Sequence, residues 1–160
     1  MKRLLFSLLL LTGCGFSPLY SQSNLYLKDT SVIVDPIANQ YGDRMKHIIQ
    51  DKLFTPTSNP LRNYRLIVSP PEFSAGDKTI SSNEFASTIQ ITGTTSYRLN
   101  NLNTGKEIYS GSVIAVSSYA VVRDPYATTV AKNHIQEELS EQLAEQVALD
   151  IIAQLSGEEK

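Results

Sequence analysis

Apolar and polar residues alternate with period two through the middle of this chain and with a period near four through its C-terminal part. From Ala86 onward, Ser87, Ile89, Ile91, Gly93, Thr95, Tyr97 and Leu99 fall on one side of an extended segment. Thr88, Gln90, Thr92, Thr94, Ser96 and Arg98 fall on the other. Successive strand side chains point to opposite faces, so this spacing predicts a long strand with one buried and one wet face. Asn103-Thr104-Gly105 has the composition of a tight turn, after which the chain returns as a strand over about 107–122. In that strand Val113, Ile114, Ala115 and Val116 put apolar groups on both faces, which predicts that something covers it.

Further on, Ile135, Leu139, Leu143, Val147, Ile151 and Leu155 recur every four residues, and Ala144, Ala148 and Ile152 widen the stripe. This predicts an amphipathic helix that must bury one face. Asp124-Pro125 offers its N-cap and first helical residue, and Gly157 ends it. The sheet is the available surface for it.

Earlier in the chain, Ser31-Val32-Ile33-Val34 reads as a short strand ended by Asp35-Pro36. Tyr41, Met45, Ile48, Ile49, Lys52 and Leu53 share one stripe of a helix over about 40–54, which Pro56 and Pro60 stop. Tyr64, Leu66 and Val68 alternate with Arg65 and Ser69 in a second strand, which Pro70-Pro71 is expected to terminate. The polar residues 71–85, with Gly76-Asp77 as a turn, are expected to form an exposed loop. The order is β-α-β-β-β-α. It predicts an α+β fold, a four-stranded mixed sheet with two helices packed on one face.

The N-terminus has a different pattern. Lys2 and Arg3 precede a short leucine-rich run over 4–11, and small residues then lead to Cys14, the one cysteine of the chain. A basic start, a short apolar stretch and a small-residue cleavage site are the parts of a secretory signal. The run is far shorter than the roughly 20 residues a spanning helix needs. Residues 1–13 are therefore expected to be a signal peptide, residues 14–30 an extended tether, and residues 31–157 a single domain. With one cysteine no internal disulfide is possible, so the domain must rely on its core.

Without Lys2 and Arg3 the chain has twelve bases against sixteen acids, a net charge of −4. A nucleic-acid partner calls for a basic concentration, and none is present. The acids after Ala127 (Glu137, Glu138, Glu141, Glu145 and Asp150 among them) read as a solvated helix face.

Catalytic machinery is hard to assemble from this sequence. His47 and His134 are the only histidines, each on a predicted polar helix face, and no Gly-Xaa-Ser-Xaa-Gly elbow surrounds a serine. Metal-ligand spacing and a glycine-rich phosphate loop are both missing. The reading is a protein without catalytic or metal-ligating residues that binds rather than reacts. The candidate binding residues are Arg98 on the wet strand face, Lys106 after the turn, Arg65 on the second strand and Arg123 at the end of the fourth. Arg62 flanks the second strand too. Such cations on a rigid sheet can form charge-assisted hydrogen bonds to phosphates. They also serve simply to guard strands against edge pairing.

Two motifs carry a resemblance. Leu11-Thr12-Gly13-Cys14 resembles a bacterial lipobox, where cleavage precedes a cysteine that becomes N-acylated and S-diacylglycerol-modified. The following Gly15-Phe16-Ser17-Pro18-Leu19-Tyr20 is more particular, and with Cys14 it resembles the mature N-terminus of the lipopolysaccharide-assembly lipoprotein family, LptE (also called RlpB). More loosely, Tyr41-Gly42, the strand Tyr64-Arg65-Leu66-Ile67-Val68, and the stretch from Tyr119 to Tyr126-Ala127 look like family features.

The resemblance implies an outer-membrane lipoprotein, lipid-anchored at Cys14 on the periplasmic side and needing no cofactor beyond that lipid. It implies a plug in a large LptD-like β-barrel and contact with lipopolysaccharide. Gly15, in place of an aspartate after the cysteine, agrees with outer-membrane delivery. The family's lipid-contacting basic positions cannot be aligned here, so Arg98, Lys106, Arg65 and Arg123 rest on strand geometry alone. The alternative is a lipoprotein subunit of another, ABC-type envelope lipid transporter.

Overall fold

The computed structural model describes residues 30–54, 61–80 and 87–157. Cys14, the signal segment and the tether through residue 29 lie outside the described residues. The chain runs β1 (Thr30–Val34), α1 (Gly42–Leu53), β2 (Arg62–Val68), β3 (Glu72–Ile80), β4 (Ser87–Asn101), β5 (Glu107–Val121) and α2 (Pro125–Gly157). It is an α+β fold with a mixed sheet and two helices, as the periodicities predict.

β1 and β2 pair in parallel, with Val32 opposite Tyr64 and Val34 opposite Leu66. Parallel neighbours need a crossover, and α1 supplies it. All other pairings are antiparallel. β4 is the spine of the sheet. One of its edges pairs with β5 along nearly its whole length, and the other is shared by β2 and β3 end to end.

That shared edge corrects the expectation of a four-stranded sheet with a loop over 71–85. The sheet has five strands. Tyr64 to Val68 lie opposite Asn101 to Tyr97, and Glu72 to Ala75 then lie opposite Thr94 to Ile91. β2 ends before Pro70-Pro71 as expected, but the register slips by only one residue across them, so the chain stays on the same edge of β4 and resumes as β3. Proline lacks an N–H and is tolerated where a bulge already leaves the ladder open. Ser69 secures the bend: its N–H donates to the Ser96 carbonyl at 2.8 Å, and its own carbonyl accepts the Thr95 hydroxyl at 2.6 Å. Thr95 is buried, so this bond satisfies a hydroxyl that would otherwise be costly to enclose.

The β4–β5 hairpin closes as the turn residues predict. Asn101 Oδ1 accepts the N–H groups of Asn103 and Thr104, and Gly105 sits at φ 69°, where glycine is favoured. At the start of α2 the Asp124 carboxylate accepts the Tyr126 N–H at 2.9 Å, the predicted N-cap.

Both helices cover one face of the sheet. Leu139, Leu143, Val147 and Ile151 of α2 are fully buried, as are Met45 and Ile49 of α1 and Leu66, Leu99 and Ile91 beneath them. Gly93 permits the closest approach, because a β-carbon there would stand 3.2 Å from both Leu143 and Phe73. Arg44 pairs with Glu141 at 2.6 Å and Lys52 with Glu145 at 3.4 Å between the helices. These exposed pairs contribute little beyond about 0–1 kcal/mol each, and burial of the apolar stripe dominates. No helix among the described residues is long and apolar enough to cross a membrane.

Candidate functional site

The face of the sheet away from the helices is wet, as the alternation in β4 predicts. Its side chains follow from register. Arg98 stands between Ile67 of β2 and Ser110 of β5, and Ser96 stands beside Ser112. Ser69, brought in by the bend, adds a fourth hydroxyl, with its Oγ 3.0 Å from that of Ser96. Together Ile67, Ser69, Ser96, Arg98, Ser110 and Ser112 line a shallow open depression of about 490 Å³.

Next along the same face, Thr94 pairs with Ile114 and Thr92 with Val116. Ile114 is 59% exposed and Val116 49%. The expectation that this part of β5 is covered therefore fails among the described residues. The helices take the inner face, where Val113 and Ala115 are buried, and leave the outer one open. The face thus grades from a guanidinium through a cluster of hydroxyls to two aliphatic side chains, over roughly 20 Å of strand.

The four candidate basic residues divide into two groups. Arg65 lies opposite Asn100 on the same face as Arg98, diagonal to it, with its Nε 3.7 Å from Asp35 Oδ1. Lys106 is exposed in the adjacent hairpin turn. Arg123 follows Val121, which pairs with Ser87, and so lies at the opposite end of the sheet, roughly 35 Å from Arg98. The structure therefore brings Arg98, Arg65 and Lys106 to one end and separates Arg123 from them.

Sequence reasoning missed Ser69, Ser96, Ser110 and Ser112 as a group. The signal for three of them was present, since Ser96, Ser110 and Ser112 have the parity of the wet face. Ser69 joins them only through the bend. Asn100 was missed as well; its Oδ1 is closed off from solvent without a hydrogen-bond partner among the described residues.

His47 and His134 are both exposed, on separate helices. His134 borders an open groove of about 480 Å³ with Tyr41, Asn133 and Glu137. No group of three or more metal-ligating side chains occurs among the described residues. Among the described residues, the one strongly shifted group is structural. The Tyr97 hydroxyl is pushed far above its ordinary range by burial first, then by its bonds to Asp150 and Tyr109.

A five-stranded mixed sheet with both helices on one face and a polar open face defines the α+β fold of this chain, and solved structures of bacterial lipoproteins share that fold. Rare lipoprotein B from Shewanella oneidensis superposes with a TM-score of 0.62 at 9% identity, over 82% of this chain and 98% of that one. A candidate lipoprotein from Caulobacter crescentus CB15 superposes with a TM-score of 0.56 at 19% identity, over 85% of this chain and 96% of that one. At such identities the likeness is one of fold. No family model and no curated protein sequence matches the chain.

Proposed function

We propose that this chain is a lipoprotein of the lipopolysaccharide-assembly kind, anchored in the outer membrane through Cys14 and facing the periplasm. In this reading it occupies an LptD-like β-barrel as a plug and presents its open sheet face to lipopolysaccharide on the way to the outer leaflet. Three things support it: the Cys14–Tyr20 motif, the fold shared with rare lipoprotein B, and the chemistry of the open face.

The open face carries the argument. An anionic glycolipid presents phosphates, sugar hydroxyls and acyl chains in sequence. Arg98 offers charge-assisted hydrogen bonds to phosphate, Ser69, Ser96, Ser110 and Ser112 offer neutral ones to sugar, and Ile114 and Val116 offer an apolar rest for methylenes. Arg65 and Lys106 extend the basic end. A polar sheet face also suits the water-lined interior of a large barrel. Acyl chains on Cys14 hold the domain at the membrane, at about 0.8 kcal/mol per buried methylene, and raise its effective concentration beside the barrel.

Affinity purification of the full-length lipoprotein from detergent-solubilised outer membranes tests this reading. It should recover a large β-barrel protein in near-equal amount. Recovery of no barrel refutes it, and co-purification with inner-membrane ABC components supports the transporter-subunit alternative instead.

A further inference from the structure

The strands run between two ends of the sheet, and one of these ends is where the described chain begins. Thr30 pairs with Arg62 at the start of β2. The β4–β5 turn lies at the same end, since the Leu102 N–H donates to the Asn63 carbonyl at 2.9 Å. α1 returns there too, because β1 and β2 are parallel and the crossover must bring the chain back. Cys14 precedes Thr30 by 16 residues, so even a fully extended chain holds it within about 55 Å of this end.

Five large apolar side chains stand exposed here: Ile33 of β1, Phe54 after α1, Leu61 before β2, Leu102 in the turn and Ile108 beside it. Leu61 is 73% exposed and Phe54 68%. In the sheet layer of this end the cations Arg62, Arg65, Arg98 and Lys106 outnumber the acids Asp35 and Glu107, and the last turn of α1 adds one charge of each sign, Asp51 and Lys52. Scattered exposed aliphatic residues are ordinary in folded proteins, but a collection of them among excess cations marks a contact surface.

We propose that this end is a membrane seat, on which the lipoprotein rests before it meets a barrel. Its partner is the anionic phospholipid surface of the leaflet that holds the Cys14 acyl chains. Leu61, Leu102 and Phe54 enter the headgroup boundary, while Lys106 and Arg98 keep their charges at the phosphates and their stems among the apolar groups. The anchor holds the protein, and the seat orients it. With this end down, the strands and α2 stand away from the bilayer, and the open sheet face points along the membrane plane. The inference rests on acylation of Cys14 and on no other part of the lipopolysaccharide-assembly reading. It describes the lipoprotein before assembly and leaves one copy per barrel unchanged.

The chain contains no tryptophan, so a single introduced one reports its own surroundings. Leu102→Trp probes the seat. Val130→Trp probes the far end of α2, roughly 50 Å away, because Leu143 already lies over Gly93 in mid-sheet. Each full-length lipoprotein is reconstituted in vesicles of phosphatidylcholine, with or without phosphatidylglycerol, carrying brominated acyl chains as quencher. With phosphatidylglycerol present, Leu102→Trp fluorescence should shift to the blue and be quenched, and Val130→Trp should show neither change. Adding Lys106→Glu to Leu102→Trp should cut the quenching at least about threefold, and added salt should reduce it too, with the circular dichroism spectrum held. Absence of quenching overturns the proposal, as does equal quenching at both positions or equal quenching in phosphatidylcholine alone. A blue shift without quenching overturns it as well, since protein then covers the patch. Flotation of the vesicles reads Cys14 anchorage separately, and barrel recovery reads the translocon separately, so the failures are distinguishable.

Discussion

Tyr97, at the centre of the sheet, passes over Gly111 of the neighbouring strand and donates its hydroxyl proton to Asp150 of the long helix across 2.8 Å. A β-carbon at position 111 would stand 2.7 Å from the tyrosine oxygen, so the hydrogen bond exists because that residue is glycine. The ring of Tyr109 packs against it, with centroids 6.0 Å apart. One side chain thereby ties β4, β5 and α2 together, and it fixes the sheet's rotation beneath the helix.

Tyr97→Phe keeps the packing and removes the bond, and should lower stability by about 1–2 kcal/mol in urea unfolding. Gly111→Ala forces the ring aside and should cost about 1–3 kcal/mol, the range for overpacking a filled core. A Gly111→Ala variant as stable as the parent would show that the ring can move without loss.

Stability should also fall in alkaline solution. The Tyr97 hydroxyl is raised above its ordinary value near 10, so near and above pH 10 the unfolded chain gives up this proton while the folded one keeps it. The unfolded state then binds fewer protons, and the free energy of unfolding declines as pH rises through and beyond 10. The contribution is fully present below that pH. Tyr97→Phe should flatten this alkaline decline, measured as the urea midpoint against pH.

Thr95→Val should destabilise by about 1–3 kcal/mol despite equal size, because it leaves the Ser69 carbonyl without the 2.6 Å bond that secures the bend. Hydrogen exchange should rise first at the amides of Ser69 and its neighbours. Uniform loss of protection across the sheet would show that the bond acts globally.

Arg98→Glu reverses the charge at the head of the open face. It should weaken capture of lipopolysaccharide about tenfold or more, and added salt should narrow the gap between parent and variant. Pairing it with Lys106→Glu should weaken capture further, while Arg123→Glu, roughly 35 Å away along the sheet, should change it little. Equal effects of the Arg98 and Arg123 variants would move the contact off this face.

Cys14→Ala should abolish acylation and release the protein from membranes with the fold intact, since the buried core of the described residues is built from residues 30–157, well beyond the cysteine. Membrane fractionation together with circular dichroism checks both halves.

Most elements were legible because their signals are local. The stripe from Ile135 to Leu155, the Asp124-Pro125 cap, the Asn103-Thr104-Gly105 turn and the alternation of Ile89 to Leu99 each appear at their expected places. β3 was not legible. Its segment is polar and holds Gly76, and Pro70-Pro71 is a strong local stop, so nothing within it marks a strand. It forms because β4 extends beyond β2 and presents unpaired backbone groups that the chain after Pro71 can meet.

The basic candidates could be identified by type and not by place. Arg98 and Arg65 share a face and an end, whereas Arg123 falls at the other end, a separation set by strand pairing and invisible in their spacing. The alternating residues of this chain determined by themselves which side of each strand is wet, because strand geometry fixes that parity residue by residue. Only the tertiary structure decided that Ser69 joins Ser96, Ser110 and Ser112 beside Arg98, and that Ile114 and Val116 remain uncovered among the described residues. Those are facts about which strand lies next to which, and non-local pairing is settled by the whole sheet at once.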